Sequence, residues 1–178
     1  KGFVSYHQDA KYIGLEPHNW VTVWLAVTDA NEQNGCMRML PGSHKENLKT
    51  HEQKFDENNL LTRGQTIKNV PLDKTEPIIL KAGQISLHHP TIVHGSGLNQ
   101  SNDRRIGFVI QSYIGTNVNQ LIGKMYVQKA RGEDTYKYHD YSKIPLELMG
   151  KNEVISQNKA NEELFKIFYS GSKKIGKF

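Results

Sequence analysis

Two imidazoles and a carboxylate are enough to seat a transition metal, and this chain offers them. His7 and Asp9 flank Gln8, and the eight histidines of the sequence supply candidates for a further ligand. Two histidines with one carboxylate form the facial triad of non-haem Fe(II) sites, which leaves the opposite face of the ion open for substrate and oxygen. Residues two apart in a β-strand project to the same side. An extended stretch from Phe3 to Asp9 would therefore present His7 and Asp9 together and turn Gln8 away. His-x-Asp on its own carries little weight, because chance pairs are common. His94 ends the short apolar run Thr91-Ile92-Val93 and enters a glycine-rich turn, a good place for a third ligand. Spacing alone does not choose among His88, His89 and His94. Arg105 falls in phase with Gly107, Val109, Gln111 and Tyr113 on a strand pattern. An inward arginine is costly unless it meets an anion, and a dicarboxylate would match its fork.

The elements that must position these groups read as mainly β. Val21 to Val27 is β-branched and aromatic, the mark of a well-buried strand. Met37 to Leu40 is a short strand closed by the turn Pro41-Gly42-Ser43. Pro77 to Leu80, Gln84 to His88, Thr91 to His94 and Arg105 to Ile114 follow as strands, with Gly95 to Asp103 a loop rich in Gly, Asn and Ser. Many short strands with turns between them predict a sandwich or barrel of jelly-roll type. The polar stretch His44 to Glu76, anchored only by Leu60-Leu61, reads as a lid or binding loop. Leu164, Ile167 and Phe168 lie at i, i+3 and i+4, which predicts an amphipathic helix over Gln157 to Tyr169 capped by Ser156. The expected organisation is one jelly-roll domain over 1–155, with the helix and basic tail of 156–178 belonging to it.

Length and composition set further bounds. The 178 residues suit one domain with a core. Because the chain starts Lys1-Gly2-Phe3 with a strand at once, it is expected to be a piece of a longer protein that lacks its N-terminal part. No apolar run approaches the roughly 20 residues needed to span a bilayer, so no membrane partner is expected. Cys36 stands alone, which favours a reducing compartment and a role as a small buried apolar residue. The net charge of +5 is spread along the chain, with density only at Lys173, Lys174 and Lys177. A nucleic-acid binder would gather it on one stripe. Scattered charge instead suits a mildly basic enzyme that attracts small anions, placed in the cytoplasm.

A longer pattern narrows the choice. His7-Gln8-Asp9, Trp24, Asn34-Gly35-Cys36-Met37 with Leu40-Pro41-Gly42-Ser43-His44, His89-Pro90, His94-Gly95-Ser96, Asn99 and Arg105 occur in that order. Together they closely resemble the phytanoyl-CoA dioxygenase family, in its bacterial small-molecule form, over about residues 3 to 115. The resemblance implies a double-stranded β-helix (jelly roll) with a C-terminal helix. It also implies an Fe(II)- and 2-oxoglutarate-dependent hydroxylase that uses O2, releases succinate and CO2, and works better with ascorbate in vitro. By the same resemblance His7, Asp9 and His94 are the iron ligands, Arg105 with Ser96 binds the distal carboxylate of 2-oxoglutarate, and Trp24 lines the cosubstrate pocket. Halogenating relatives replace the carboxylate of the triad, so Asp9 favours hydroxylation. Arg38 and His44 are candidates to face the substrate, a small polar metabolite that the sequence does not identify. His88 and His89 are either supports for the ligands or core histidines. The competing reading is a jelly-roll metalloprotein of non-oxidative function, an isomerase or a binding protein, against which Arg105 and Ser96 argue. Oligomeric state is not legible.

Overall fold

The computed structural model describes residues 2–173 and 175, and the basic-tail residues Lys174 and Lys177 lie outside them. The strands are β1 (Val4–His7), β2 (Leu15–Glu16), β3 (Trp20–Ala26), β4 (Met37–Met39), β5 (Glu52–Gln53), β6 (Gln65–Thr66) and β7 (Glu76–Pro77). They continue as β8 (Ile85–His88), β9 (His94–Ser96), β10 (Gly107–Ile114), β11 (Asn119–Gln120), β12 (Tyr126–Val127) and β13 (Asp140–Tyr141). Among the described residues two α-helices join them, α1 (Ala10–Ile13) and α2 (Lys151–Phe168). Two sheets carry the site. One has the order β1-β9-β4-β7 and the other β10-β3-β8. This is the jelly-roll architecture expected from the strand pattern.

β3 shows why the second sheet forms. Its residues alternate between buried (Trp20, Thr22, Trp24, Ala26) and half-buried (Val21, Val23, Leu25), the period of two that a pleated strand imposes. Antiparallel pairing sets Thr22 against His88 and Trp24 against Ser86 on one side, and Trp24 against Val109 on the other. Trp24 needs one special neighbour. A Cβ on Gly107 would lie 2.1 Å from Cζ2 of its indole, so only glycine there leaves the ring its space. In the first sheet His7 pairs with His94 and Met39 with His94, which sets β9 between the β1 and β4 ladders.

The core has two centres. Ala10, Ile13, Leu15, Trp20, Val118 and Ile167 form one, and Trp24, Ala26, Ala30 and Cys36 the other. Ile167 ties α2 into the first, and its full burial contributes about 2 kcal/mol. Cys36 is buried, as expected of a lone thiol. Among the described residues no helix is long and apolar enough to cross a membrane.

Several expectations need correction. The helix starts at Lys151 with Gly150 as its N-cap, so Ser156 sits inside it and caps nothing. Its first turns escaped the sequence pattern because Ile155 is exposed and leaves no apolar stripe there. The 44–76 stretch is not a plain loop. It holds the β5–β6 hairpin and 3-10 turns at Ser43–Lys45 and Leu72–Lys74. Leu60 does not anchor it, being 63% exposed, whereas Ile67 is buried. The anchoring is polar: Ser5 Oγ donates to Gln65 O at 2.6 Å, Ser5 N donates to Asn59 Oδ1 at 3.3 Å, and Ile67 N donates to Tyr6 O at 2.8 Å. Pro77 to Leu80 pairs as a strand only at Glu76–Pro77, with Leu80 bridging Ala30. His94 opens β9 rather than closing a strand from Thr91, and β10 begins at Gly107, just beyond Arg105.

Candidate metal centre

His7 is the last residue of β1. Its Nδ1 lies 2.8 Å from Ser5 O, and the Nδ1 of His94 lies 3.0 Å from Ile92 O. A carbonyl can only accept a hydrogen bond, so each ring carries a hydrogen on Nδ1 and turns Nε2 inward, the orientation that suits a metal ligand. The two rings stand 4.2 Å apart, centroid to centroid. Asp9 Oδ1 is 3.3 Å from His7 Nε2 and 3.8 Å from His94 Nε2. All three residues are buried, and one ligand atom from each lies within 4.8 Å of the others.

Asp9 does not reach this position as the extended reading supposed. β1 ends at His7, and Asp9 has helical angles (φ −58, ψ −40) at the N-cap of α1. The tight turn, in which Lys11 N donates to Gln8 O and Tyr12 N to Asp9 O, swings the carboxylate back beneath the imidazole. Gln8 does face away, and it is fully buried. Its Nε2 donates to Thr91 O at 2.6 Å, its Oε1 accepts from Lys49 N at 2.8 Å, and its own N–H donates to His51 Nε2 at 3.0 Å. Gln8 thus clamps the segment leading to His94 and the 44–52 segment onto the turn between His7 and Asp9.

The electrostatics fit a cation. Burial pushes the Asp9 carboxyl up, but the imidazoles of His94, His7 and His88 outweigh it and hold the group well below the usual carboxylate range. Burial, then the neighbouring His7, pushes His94 down to about 3 against the pull of Asp9, so that ring is neutral at pH 7. The Nε2 atoms of His7 and His94 and the Oδ1 of Asp9 thus converge on one buried point. A positive ion is the partner such a donor set lacks, and imidazole with carboxylate suits Fe(II) and its neighbours in the first row.

A cavity of about 280 Å³ opens on this cluster and is lined also by Trp24, Ser96 and Arg105. Arg105 Nη2 donates to Ser96 Oγ at 3.3 Å, and its guanidinium lies 5.8 Å from the Trp24 ring centroid. Among the described residues no carboxylate lies within ion-pair reach of Arg105. Burial depresses its pKa, the response of a cation short of a counter-ion. The inward phase read from the sequence is the one observed, since Val109 and Gln111 line the same cavity.

Arg38 and His44 lie elsewhere. Arg38 bonds Thr75 and Glu32, and the His44 ring packs on His89 at 5.8 Å. Neither lines the cavity, because Arg38 turns to the side of β4 that meets β7. His89 is held by Thr91 Oγ1 at 2.7 Å, away from the cluster. His88 does line the cavity, with Nε2 3.7 Å from Asp9 Oδ2. Thr22 escaped the sequence reading altogether. Its hydroxyl lies 2.7 Å from Asp9 Oδ2, and the only hint was its inward position beside Trp24 on an alternating strand.

The family model for phytanoyl-CoA dioxygenase (PhyH) matches residues 1–107. The peroxisomal phytanoyl-CoA dioxygenase of Mus musculus is 31% identical over 101 residues, which is 56% of this chain and 30% of that protein. A probable alpha-ketoglutarate-dependent hypophosphite dioxygenase of Stutzerimonas stutzeri is 30% identical over 122 residues, 67% of this chain and 42% of that one. Among solved structures, the apo form of the non-heme monooxygenase ThoJ superposes with a TM-score of 0.80 at 28% identity, covering 94% of this chain and 60% of that chain. The chain therefore spans less than half the length of these two curated relatives. Since the match takes in His7, Asp9, His94 and Arg105 alike, this chain belongs to the phytanoyl-CoA dioxygenase family.

Proposed function

We propose that the chain is the catalytic core of an Fe(II)- and 2-oxoglutarate-dependent dioxygenase that hydroxylates a C–H bond of a small, polar metabolite and releases succinate and CO2. The observation that carries this reading is the pairing of two sites on one cavity: a ligand cluster that wants a cation, and a half-buried arginine that wants an anion. His7 Nε2, Asp9 Oδ1 and His94 Nε2 would hold the iron. Arg105, with the Ser96 hydroxyl beside it and the Trp24 ring against it, would grip the distal carboxylate of 2-oxoglutarate. The bound metal supplies oxygen activation and the coupled oxidative decarboxylation of the cosubstrate. The protein holds the imidazoles in one tautomer, keeps Asp9 ionised, and excludes bulk water from the ligands. Leu61 and Gln111 line the cavity beside these groups and would meet the substrate.

The net charge of +5 suits an anionic substrate, in keeping with the hypophosphite named for one relative. We take 1–155 as the oxygenase domain with 156–178 as part of it, since Ile167 shares a core with α1. Cytoplasmic placement accords with a single buried cysteine. Neither nucleic acid nor membrane is a proposed partner.

The test is succinate formation from 2-oxoglutarate in air with Fe(II) and ascorbate. The parent chain should turn over, at least weakly and uncoupled, only with iron. His7→Ala should abolish turnover, and Arg105→Ala should raise the 2-oxoglutarate requirement. Turnover indifferent to both substitutions overturns the reading.

A further inference from the structure

The two oxygens of Asp9 are not equivalent. Oδ1 faces the two imidazole Nε2 atoms, at 3.3 Å from His7 and 3.8 Å from His94. Oδ2 points the other way, into the β10-β3-β8 sheet, where the Thr22 hydroxyl lies 2.7 Å from it. We infer that Thr22 is a positioning residue that reserves Oδ2 for the sheet, so that Asp9 can offer the ion a single oxygen. The inference rests on the metal-centre reading above and adds a role for a residue outside the ligand set.

Three features make the hydroxyl a firm constraint. Thr22 sits mid-strand on β3 and is only 3% exposed. Its β-branched side chain has little χ1 freedom. The same oxygen lies 2.9 Å from Gln111 O on β10, so it is packed between Asp9 and the β10 backbone. A hydroxyl has one proton to give, and the charged carboxylate is the stronger acceptor of the two. His88 stands opposite Thr22 in register. Its Nε2 is 3.7 Å from the same Oδ2, outside hydrogen-bond reach. Its ring nevertheless stands 4.9 Å from that of His94, centroid to centroid, and among the described residues the atoms close enough to share one ion come from His7, Asp9 and His94.

The consequence is chemical. Three protein atoms on one face leave the opposite face of the ion open. A carboxylate gripping through both oxygens would intrude on that face, where a chelating 2-oxo acid and oxygen must both fit. With Oδ2 held by Thr22, that second bond requires breaking a short, charge-assisted hydrogen bond in a dry site.

The experiment uses Co(II) as the metal probe and the full chain, with Thr22→Val and Thr22→Ser beside the parent. Visible absorption gives both affinity and coordination, because Co(II) bands strengthen as the coordination number falls. Thr22→Val should weaken Co(II) binding ~10- to 100-fold and change the band intensity. Thr22→Ser should restore both, a rescue that loss of packing alone would not produce. A Thr22→Val protein with parental affinity and spectrum overturns the inference while leaving the metal centre intact, and a parent that binds no Co(II) overturns both. Should Thr22→Val fail to fold, a crystal structure of the Co(II)-loaded parent decides. Oδ2 should remain on Thr22 and off the ion, and ligation through both oxygens overturns the proposal.

Discussion

Arg105→Met should move stability and ligand binding in opposite directions. In the free protein the guanidinium is partly buried, donates one hydrogen bond to Ser96 and has no carboxylate partner among the described residues. Removing a cation that lacks a counter-ion relieves its desolvation, while the lost bond to Ser96 costs about 1 kcal/mol. Methionine keeps the contact with Trp24 and much of the volume. The free variant should therefore be as stable as the parent or slightly more so, within ~1 kcal/mol. With 2-oxoglutarate the sign reverses. A charge-assisted pair between arginine and carboxylate contributes ~1.5–3 kcal/mol, which is roughly 10- to 150-fold in Kd. At a ligand concentration of about 100 Kd the parent gains ~2.7 kcal/mol of stability, and a variant binding some 50-fold more weakly gains only ~0.65 kcal/mol. For a chain of this size those gains correspond to Tm shifts of about 5–11 °C and about 1–3 °C. The assay is thermal unfolding of the Mn(II)-loaded proteins with and without 2-oxoglutarate. A variant that is destabilised by several kcal/mol without ligand, or that shows the full parental shift with it, refutes the assignment of Arg105 as a cation awaiting an anion.

Gly107→Ala puts a methyl where the Trp24 ring lies. It should cost about 1–3 kcal/mol as overpacking and alter tryptophan emission, whereas unchanged emission would show that the ring is not confined by β10. Gln8→Ala strips the partners from the buried Thr91 O and the half-buried Lys49 N, and chemical denaturation should show a loss of about 2–4 kcal/mol. In the metal-free protein, acid should erode stability well above the carboxylate range. Burial holds His51 down to about 4, against its Lys49 O bond and with His7 and Lys11 nearby, and His94 is held at about 3. Their folded pKa values lie below the unfolded value near 6.5, so the unfolded chain binds more protons and stability falls as pH drops from about 6.5 toward 4. Urea midpoints at pH 7, 5.5 and 4.5 should decline steadily, and His51→Gln should flatten that decline. An equally steep decline in the variant would exclude His51 as a contributor.

What could be read from the chain, and what could not, divides along physical lines. β3 was legible because the β-branched and aromatic run over Val21 to Val27 has few other uses, and the inward phase of Arg105 followed from the strand period of two. The jelly-roll class followed from the number of short strands. The His7–Asp9 pair was read as a candidate for a mistaken reason: period two suggested one strand, whereas a helical turn at Asp9 brings the carboxylate round. Choosing His94 over His88 and His89 needed the resemblance, because three histidines at a strand end carry the same local signal. Thr22 and Gln8 were not legible, since a hydroxyl or amide acquires its meaning only when distant backbone meets it. The 44–76 segment misled for the same reason. Its anchors are the Ser5 and Asn59 side chains, which bond to one another, and the backbone carbonyl of Gln65, which accepts from the Ser5 hydroxyl; none of them leaves a hydrophobic trace.

Anomalous diffraction at the iron edge, from crystals grown anaerobically with Fe(II), addresses the central claim most directly. One peak should appear among His7 Nε2, Asp9 Oδ1 and His94 Nε2, at roughly 2.1 Å from each, as for other first-row ions with imidazole and carboxylate ligands. A peak that excludes any of these three atoms, or no peak at full iron loading, would contradict the account.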